Sequence, residues 1–201
     1  MRYLKDQTTH QIEINKSKFI AILYPLQNIE DIPLYLDETK KAYPKANHYC
    51  NASFFGQTAE HATASDDGEP SRTAGVPILE VLRHHDVTNI LCVVIRYFGG
   101  VKLGSGGLVR AYTKATADVI KKAKFYEKKM VDSYEITFDY SLINQMDSYL
   151  EKKATVLEKE FLTHVTYKII NLDNQFDIIA DIEYQLLSYK KLEPQILYID
   201  Q

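Results

Sequence analysis

The chain has 201 residues, of which 45% are hydrophobic and 25% charged, with a formal net charge of −3 at pH 7. This composition is typical of a globular protein with enough apolar side chains for one large or two small domains, and no apolar run approaches the ~20 residues of a membrane span. Because signal-peptide features and a disulfide framework are also missing, we expect a cytoplasmic protein without membrane contact.

Basic and acidic side chains are distributed unevenly along the chain. Residues 1–130 hold 18 basic and 14 acidic side chains, whereas residues 131–201 hold 6 and 13. The net charges are therefore +4 and −7. This change of sign predicts two domains, 1–130 and 131–201, with different surfaces and different partners.

Hydrophobic periodicity predicts a mixed succession of strands and helices in the first domain. Proline at position 33 is compatible with a helix because it falls in the first turn. The predicted elements are two strands over 12–26 interrupted near Asn15, a helix over 29–42, a strand over 48–56, a helix over 77–85 and a strand over 90–97.

Five of the eight glycines lie in one stretch, Arg96–Tyr112, between the apolar strand and a helix-patterned segment over 108–128. Glycines let the backbone approach a ligand closely, and the free N–H groups at a helix start attract anions. The glycine spacing matches neither the Walker A pattern nor the dinucleotide-binding fingerprint. The stretch is therefore interpreted either as an anion- or phosphate-binding loop or as a turn that serves tight packing alone.

Basic side chains accompany this stretch. Between residues 96 and 129 we count nine basic and two acidic residues. Helical periodicity predicts that Leu108 and Tyr112 face the core while a positive stripe lies opposite, although lysine and arginine are also ordinary residues of a solvated helix surface. The predicted stripe contains Arg110, Lys114, Lys121, Lys124 and Lys128. The candidate phosphate-binding residues are Arg96, Gly99, Gly100, Lys102, Gly104, Ser105, Gly106, Gly107, Arg110 and Lys114.

A second cluster holds three carboxylates within four residues, Asp66, Asp67 and Glu69. Carboxylate oxygens are ligands that Mg²⁺ prefers. The dipeptides Asp-Gly and Glu-Pro in the same segment are also strong turn signals. A third interpretation is that the cluster lies beside Arg96 or Lys102 and holds the glycine-rich loop in place.

Three further residues, Cys50, Tyr97 and Phe98, are weaker candidates for a functional role. Cys50 follows His48 by two residues and would share its side of a strand, as an activated thiol or, more commonly, as a small buried hydrophobe. Tyr97 and Phe98 flank the glycines. If these rings are exposed, they can stack on nucleic-acid bases. If they are buried, they belong to the core, which is the commoner role of aromatic side chains. We expect no catalytic residue, cofactor or metal site.

The second domain shows the order β-α-β-β-α-β of the ferredoxin-like plan. Strands are predicted over 134–140, 155–162, 165–170 and 195–199, the first helix carries Leu142 to Leu150, and the second begins after Asp173 or Asn174 and carries Phe176, Ile179, Ile182 and Leu186. The complete chain is thus predicted to be an α+β protein of two domains.

Two motifs resemble the IMPACT family: the segment from Asp66 to Leu79, preceded by His48-Tyr49-Cys50, and the segment from Arg96 to Tyr112. The resemblance covers about residues 17–125 by motif and continues through the second domain. The family commonly has glycine where Arg72 stands here.

The resemblance implies an N-terminal domain similar to the second domain of ribosomal protein S-five and a C-terminal domain similar to the last domain of elongation factor G. It also implies binding to nucleic acid or ribosomes. Eukaryotic members act in translational control through a protein partner and an extra N-terminal domain. We expect neither that domain nor that partner here.

Three functions follow as hypotheses. The first is a non-enzymatic binding protein for RNA or a ribosomal surface, with a role in translation regulation. The second is an enzyme that acts on a phosphorylated small molecule, with Mg²⁺ on Asp66, Asp67 or Glu69. The third is an adaptor whose acidic C-terminal domain binds a basic protein partner. We expect the first.

Overall fold

A computed structural model describes residues 1–172 and 177–200. The chain is an α+β protein with two compact units, Met1–Glu127 with the last residues from Ile199, and Lys128–Tyr198. The predicted fold class is thereby confirmed. No helix in the described ranges is long and apolar enough to cross a membrane.

The first unit is built on a five-stranded antiparallel sheet. Its strands, in spatial order, are β2 (Thr8–Ile14), β3 (Ser17–Pro25), β7 (Ile90–Tyr97), β4 (His48–Phe55) and β5 (His61–Ser65). A separate small ladder joins β1 (Arg2–Leu4) to β6 (Val87–Thr88) and to the start of β8 (Phe125–Phe138).

Helices cover both faces of the five-stranded sheet. The helix α1 (Ile32–Ala42) packs on the face that carries Ile20 and Ile22. The opposite face, with Phe19 and Ala21, packs against α2 (Gly75–His84) and α3 (Gly104–Ile120). Because successive side chains of a strand point to opposite faces, β3 and β7 must be apolar at nearly every position, as their sequences are.

The structure corrects the predicted bounds of helices in the first unit. The helix expected over 108–128 begins at Gly104 and ends at Ile120. Phe125 is buried, and the chain around it pairs with β1 through Tyr126 opposite Tyr3. Lys124 and Lys128 therefore do not belong to a helical stripe. The predicted helix over 77–85 likewise begins earlier, at Gly75, and the short strands β1, β5 and β6 were not predicted.

The second unit has the predicted β-α-β-β-α-β order. After β8 come α4 (Ile143–Leu150), β9 (Ala154–Phe161), β10 (Val165–Asn171), α5 (Ile178–Ile182) and β11 (Ser188–Asp200). The strand order is β11-β8-β10-β9, and both helices contribute to one buried cluster with the sheet. The predicted start of the second helix at Asp173 or Asn174, and Phe176 within it, lie outside the described residues.

Candidate functional site

The glycine-rich loop leaves β7 at Phe98 and is held by its neighbours. The Phe98 N–H donates to Oδ1 of Asn47 at 2.8 Å, and the Gly99 N–H donates to Oγ of Ser17 at 3.2 Å. A Cβ atom at Gly99 would lie 2.0 Å from the backbone of Lys16. Packing therefore requires glycine at position 99. For this residue the interpretation as a tight-packing turn applies.

The remaining glycines differ in what requires them. Gly100 and Gly104 have φ angles of +84° and +69°, which residues other than glycine rarely adopt. A Cβ at Gly107 would contact the side chain of Leu103 at 3.0 Å. At Gly106 an added Cβ would meet only Nη1 of Arg110, at an ordinary 3.6 Å. Neither the backbone conformation nor the packing requires a glycine at position 106.

The first turn of α3 is open to solvent. Gly104, Ser105 and Gly106 are exposed, and no side chain in the described part of the protein caps the helix at Leu103. The first N–H groups of an α-helix have no partner within the helix, and the helix dipole places partial positive charge there. This turn is consequently able to accept an anion.

A cavity of about 390 Å³ lies beside this turn. Its lining residues come from the loop, from α3, from β7 and from the acidic segment: Asn47, His48, Glu69, Pro70, Arg96, Phe98, Lys102, Leu103, Gly104, Ser105 and Leu108. The structure thus brings together Arg96, Lys102, Gly104 and Ser105 from the candidate phosphate-binding residues.

A buried ion pair forms the inner wall of the cavity. Nη1 of Arg96 donates to Oε1 of Glu69 at 2.7 Å, and the Tyr112 hydroxyl donates to the same oxygen at 2.8 Å. Nε2 of His48 lies 3.9 Å from that oxygen. The acidic segment thus lies beside Arg96, as the third interpretation of that segment expected. Glu69 also balances the charge of Arg96, so this arginine does not add net positive charge to the surface.

The other two carboxylates have separate structural roles. Oδ1 and Oδ2 of Asp66 accept hydrogen bonds from the backbone N–H groups of Arg72, Ala74 and Gly75 at 2.7–3.0 Å. Burial raises the pKa of Asp66, but these hydrogen bonds outweigh it and leave the pKa below its usual range. Oδ2 of Asp67 accepts from the Tyr49 N–H at 2.6 Å.

These contacts bear on the magnesium interpretation. Among residues 1–172 and 177–200, no three His, Cys, Asp or Glu side chains are grouped so that they could hold a metal ion. The turn interpretation of the acidic segment is supported instead, because its carboxylates bind backbone N–H groups and Arg96.

The activated-thiol interpretation of Cys50 is wrong. Cys50 is fully buried, and burial raises the pKa of its thiol to about 12. Its Sγ lies 2.9 Å from the carbonyl oxygen of Asp66 and 3.3 Å from the hydroxyl oxygen of Tyr112, so its single S–H has acceptors inside the protein. Nδ1 of His48 contacts the carbonyl oxygen of Asp67 at 2.8 Å rather than the thiol. A protonated, inaccessible sulfur is not a nucleophile.

The basic side chains of α3 are partly neutralised. Nζ of Lys114 lies 2.7 Å from Oδ2 of Asp118, and Nζ of Lys121 lies 3.9 Å from Oδ1 of the same residue. Lys102 and Arg110 are exposed, and neither forms an ion pair within the described ranges. The contact between Arg110 and the Cβ position of Gly106 places its guanidinium beside the first turn.

The aromatic pair after β7 divides between core and surface. Tyr97 is half-buried and its hydroxyl donates to the carbonyl oxygen of Pro44 at 3.1 Å. Phe98 is 46% exposed and borders the cavity. The guanidinium carbon of Arg96 lies 5.6 Å from the centroids of both the Phe98 and the Phe19 rings. The commoner, buried role is therefore wrong for Phe98.

Arg72 occupies an unusual backbone conformation. Its φ is +63°, in the left-handed region, while its N–H donates to Asp66. Glycine adopts this region without steric cost. A glycine, the residue that the resemblance implies for this position, would therefore fit the same turn.

Comparison with known proteins identifies relatives along most of the chain. The family model for the Impact N-terminal domain matches residues 15–120. The IMPACT family member YvyE of Bacillus subtilis is 35% identical over 175 residues, 84% of this chain and 81% of that protein. The IMPACT family member YigZ of Escherichia coli is 27% identical over 192 residues, 94% of this chain and 93% of that protein.

A solved structure shares the fold. The crystal structure of a hypothetical protein, 25% identical in sequence, superposes on 98% of this chain and 95% of its own with a TM-score of 0.60.

We predict that Glu69→Ala destabilises the first unit strongly. Removing the carboxylate leaves the buried guanidinium of Arg96 without its counter-charge, which costs about 3–5 kcal/mol of unfolding free energy. Chemical denaturation measures the loss. The control is Glu80→Ala, which breaks the exposed pair with Arg83 and costs less than about 1 kcal/mol. Equal losses in the two variants would contradict the importance of the buried pair.

We predict that Arg72→Gly raises the unfolding free energy by up to about 1 kcal/mol. The left-handed conformation costs a residue with a Cβ about 1–2 kcal/mol, and the greater freedom of glycine in the unfolded chain offsets part of that gain. Arg72→Ala retains the Cβ and serves as the control, for which no gain is expected. A loss of stability in Arg72→Gly, or the same gain in both variants, would refute this explanation.

Proposed function

The chain belongs to the IMPACT family, and from this premise we propose that it is a non-enzymatic binding protein whose first unit contacts the phosphates of RNA or of a ribosomal surface. The observation that carries the proposal is the exposed, uncapped, glycine-rich first turn of α3 (Gly104–Gly107), with Lys102 and Arg110 beside it. Gly99 has a packing role against the backbone of Lys16 and Ser17 and is not one of the proposed phosphate contacts.

Phosphate oxygens suit this turn for two reasons. The free N–H groups of the turn offer several donors in a fixed geometry, and the helix dipole favours negative charge at this end. Lys102 and Arg110 add exposed positive charge without a carboxylate to neutralise it among the described residues. Contacts of this kind bind a nucleic-acid backbone without reading its sequence.

A polyanion fits better than a small phosphorylated substrate. Lys114 and Lys121 extend the basic surface along α3 beyond the reach of one phosphate group, although Asp118 offsets part of their charge. A phosphoryl-transfer enzyme would also need metal ligands. Asp66, Asp67 and Glu69 are instead occupied with hydrogen bonds inside the protein.

A role in translation regulation, which the family resemblance implies, follows if the bound RNA is ribosomal, and it entails a cytoplasmic protein. Residues 131–201 carry a net charge of −7, and we include in the proposal a basic protein partner for the second unit.

The test compares two charge-reversed variants in RNA binding. We predict that Lys102→Glu with Arg110→Glu weakens binding of a fluorescently labelled RNA oligonucleotide. The dependence of log K on log salt should also become shallower, by about 1 for each phosphate that the variant no longer neutralises. Fluorescence anisotropy across a salt series measures both quantities.

The matched control is Lys40→Glu with Lys41→Glu. Both lysines are exposed on α1, which covers the opposite face of the same sheet, so the net charge changes equally while the proposed surface is left intact. Wild-type affinity and salt dependence are expected for the control. Equal binding by both double variants would remove α3 from the function.

A further inference from the structure

We infer that the cavity beside α3 holds one unpaired nucleotide of a single-stranded RNA, with its base on Phe98 and its phosphate at the first turn of α3. This inference rests on the proposed function and names the ligand class of the same site. Three features carry it: an exposed aromatic ring, a glycine that the fold does not require, and a buried arginine with unused hydrogen-bonding capacity.

Phe98 is placed as a stacking platform. Its ring is 46% exposed at the border of the cavity, while its backbone N–H is fixed by Asn47. The guanidinium of the buried Arg96 lies 5.6 Å from the centroid of the Phe98 ring, so the ring has a contact with the interior of the protein. An aromatic ring held in this way binds the face of any base, since every base has a π-face.

Gly106 indicates a ligand that approaches the backbone of α3. Glycine within a helix is less favourable than alanine by up to about 1 kcal/mol. At Gly106 nothing in the fold compensates for this cost, because its φ is not positive and a Cβ would meet only an ordinary contact. The absent Cβ leaves the first-turn N–H groups accessible to a group as large as a phosphate.

Arg96 is the independent sign of a polar ligand. It lines the cavity and is more than nine-tenths buried, yet its Nε has no hydrogen-bond partner in the described structure. Glu69 occupies only Nη1 of the five-donor guanidinium. Nε itself is closed off from solvent, so the donors that a ligand in the cavity is suited to use are the other guanidinium N–H groups that Glu69 leaves unpaired.

The size of the cavity favours an unpaired nucleotide. Its volume of about 390 Å³ is at the lower end of small-ligand sites, which span roughly 300–1,000 Å³. A base inside a duplex is stacked between its neighbours and cannot also lie on Phe98, whereas a base in a single strand can be splayed out. Single-stranded RNA should therefore bind more tightly than the duplex of the same length.

The experiment compares Phe98→Leu and Gly106→Ala with the wild-type full chain. Anisotropy is measured with a single-stranded RNA oligonucleotide and with its duplex. Loss of base stacking in Phe98→Leu should weaken single-strand binding roughly 5- to 150-fold and leave duplex binding unchanged. Gly106→Ala should weaken single-strand binding while the denaturation midpoint stays the same or rises, because alanine favours the helix.

The matched control for the ring is Phe161→Leu, which changes a similarly exposed phenylalanine of the second unit, and wild-type binding is expected. Wild-type single-strand affinity in Phe98→Leu or in Gly106→Ala would overturn the inference, as would an equal loss for single strand and duplex. If the Lys102 and Arg110 variant loses RNA while Phe98→Leu does not, only this inference fails. If the wild type binds neither RNA, the proposed function fails as well.

Discussion

The buried hydrogen bonds that Glu69 accepts from Arg96 and Tyr112 set the geometry of the candidate site. They join three separate parts of the chain: the end of β7, the acidic segment before α2, and the middle of α3. Both charged partners are buried, so the fold must keep them together, because either charge without the other would be costly in the interior. These contacts hold the start of α3 beside the end of β7, and they leave the first turn of α3 facing outward.

Residues that form one cluster in the sequence do different work in the structure. Gly99 is required by the backbone of Lys16 and Gly104 by its left-handed conformation, whereas Gly106 is required by neither. The acidic segment divides in the same way, with Asp66 at the start of α2 and Glu69 at Arg96. A cluster of one residue type is therefore weak evidence for one shared ligand.

Much of the fold could be predicted from periodicity. The apolar run that forms β7 indicates a central strand buried on both faces, and the alternation in the second unit indicates the β-α-β-β-α-β order. The end of α3 could not be predicted, because the lysines from 121 to 128 continue a helical pattern. Phe125 lies beyond the helix end and pairs with Leu4 of β1. This strand has only three residues and lies at the other end of the chain, so the sequence around Phe125 does not indicate the pairing.

The sequence predicted the glycine-rich loop of the candidate site better than it predicted the residues that line the cavity. The glycines and the basic residues indicated segment 104–107, although the helix was expected to begin only at Leu108 and in fact begins at Gly104. The pairing of Arg96 with Glu69 was one of several alternatives, because sequence separation does not determine which charges meet. Phe98 is exposed, whereas phenylalanine is more commonly buried. The sequence signal for this exposure is the adjoining glycine turn, which carries the chain away from the sheet.

The most direct test follows the backbone amides of isotope-labelled protein by NMR during titration with a single-stranded RNA oligonucleotide. We predict that the largest chemical-shift changes occur at the amides of Gly104–Gly107 and at Lys102. Unchanged amides in that turn, together with shifts confined to α1 or to the second unit, would contradict it.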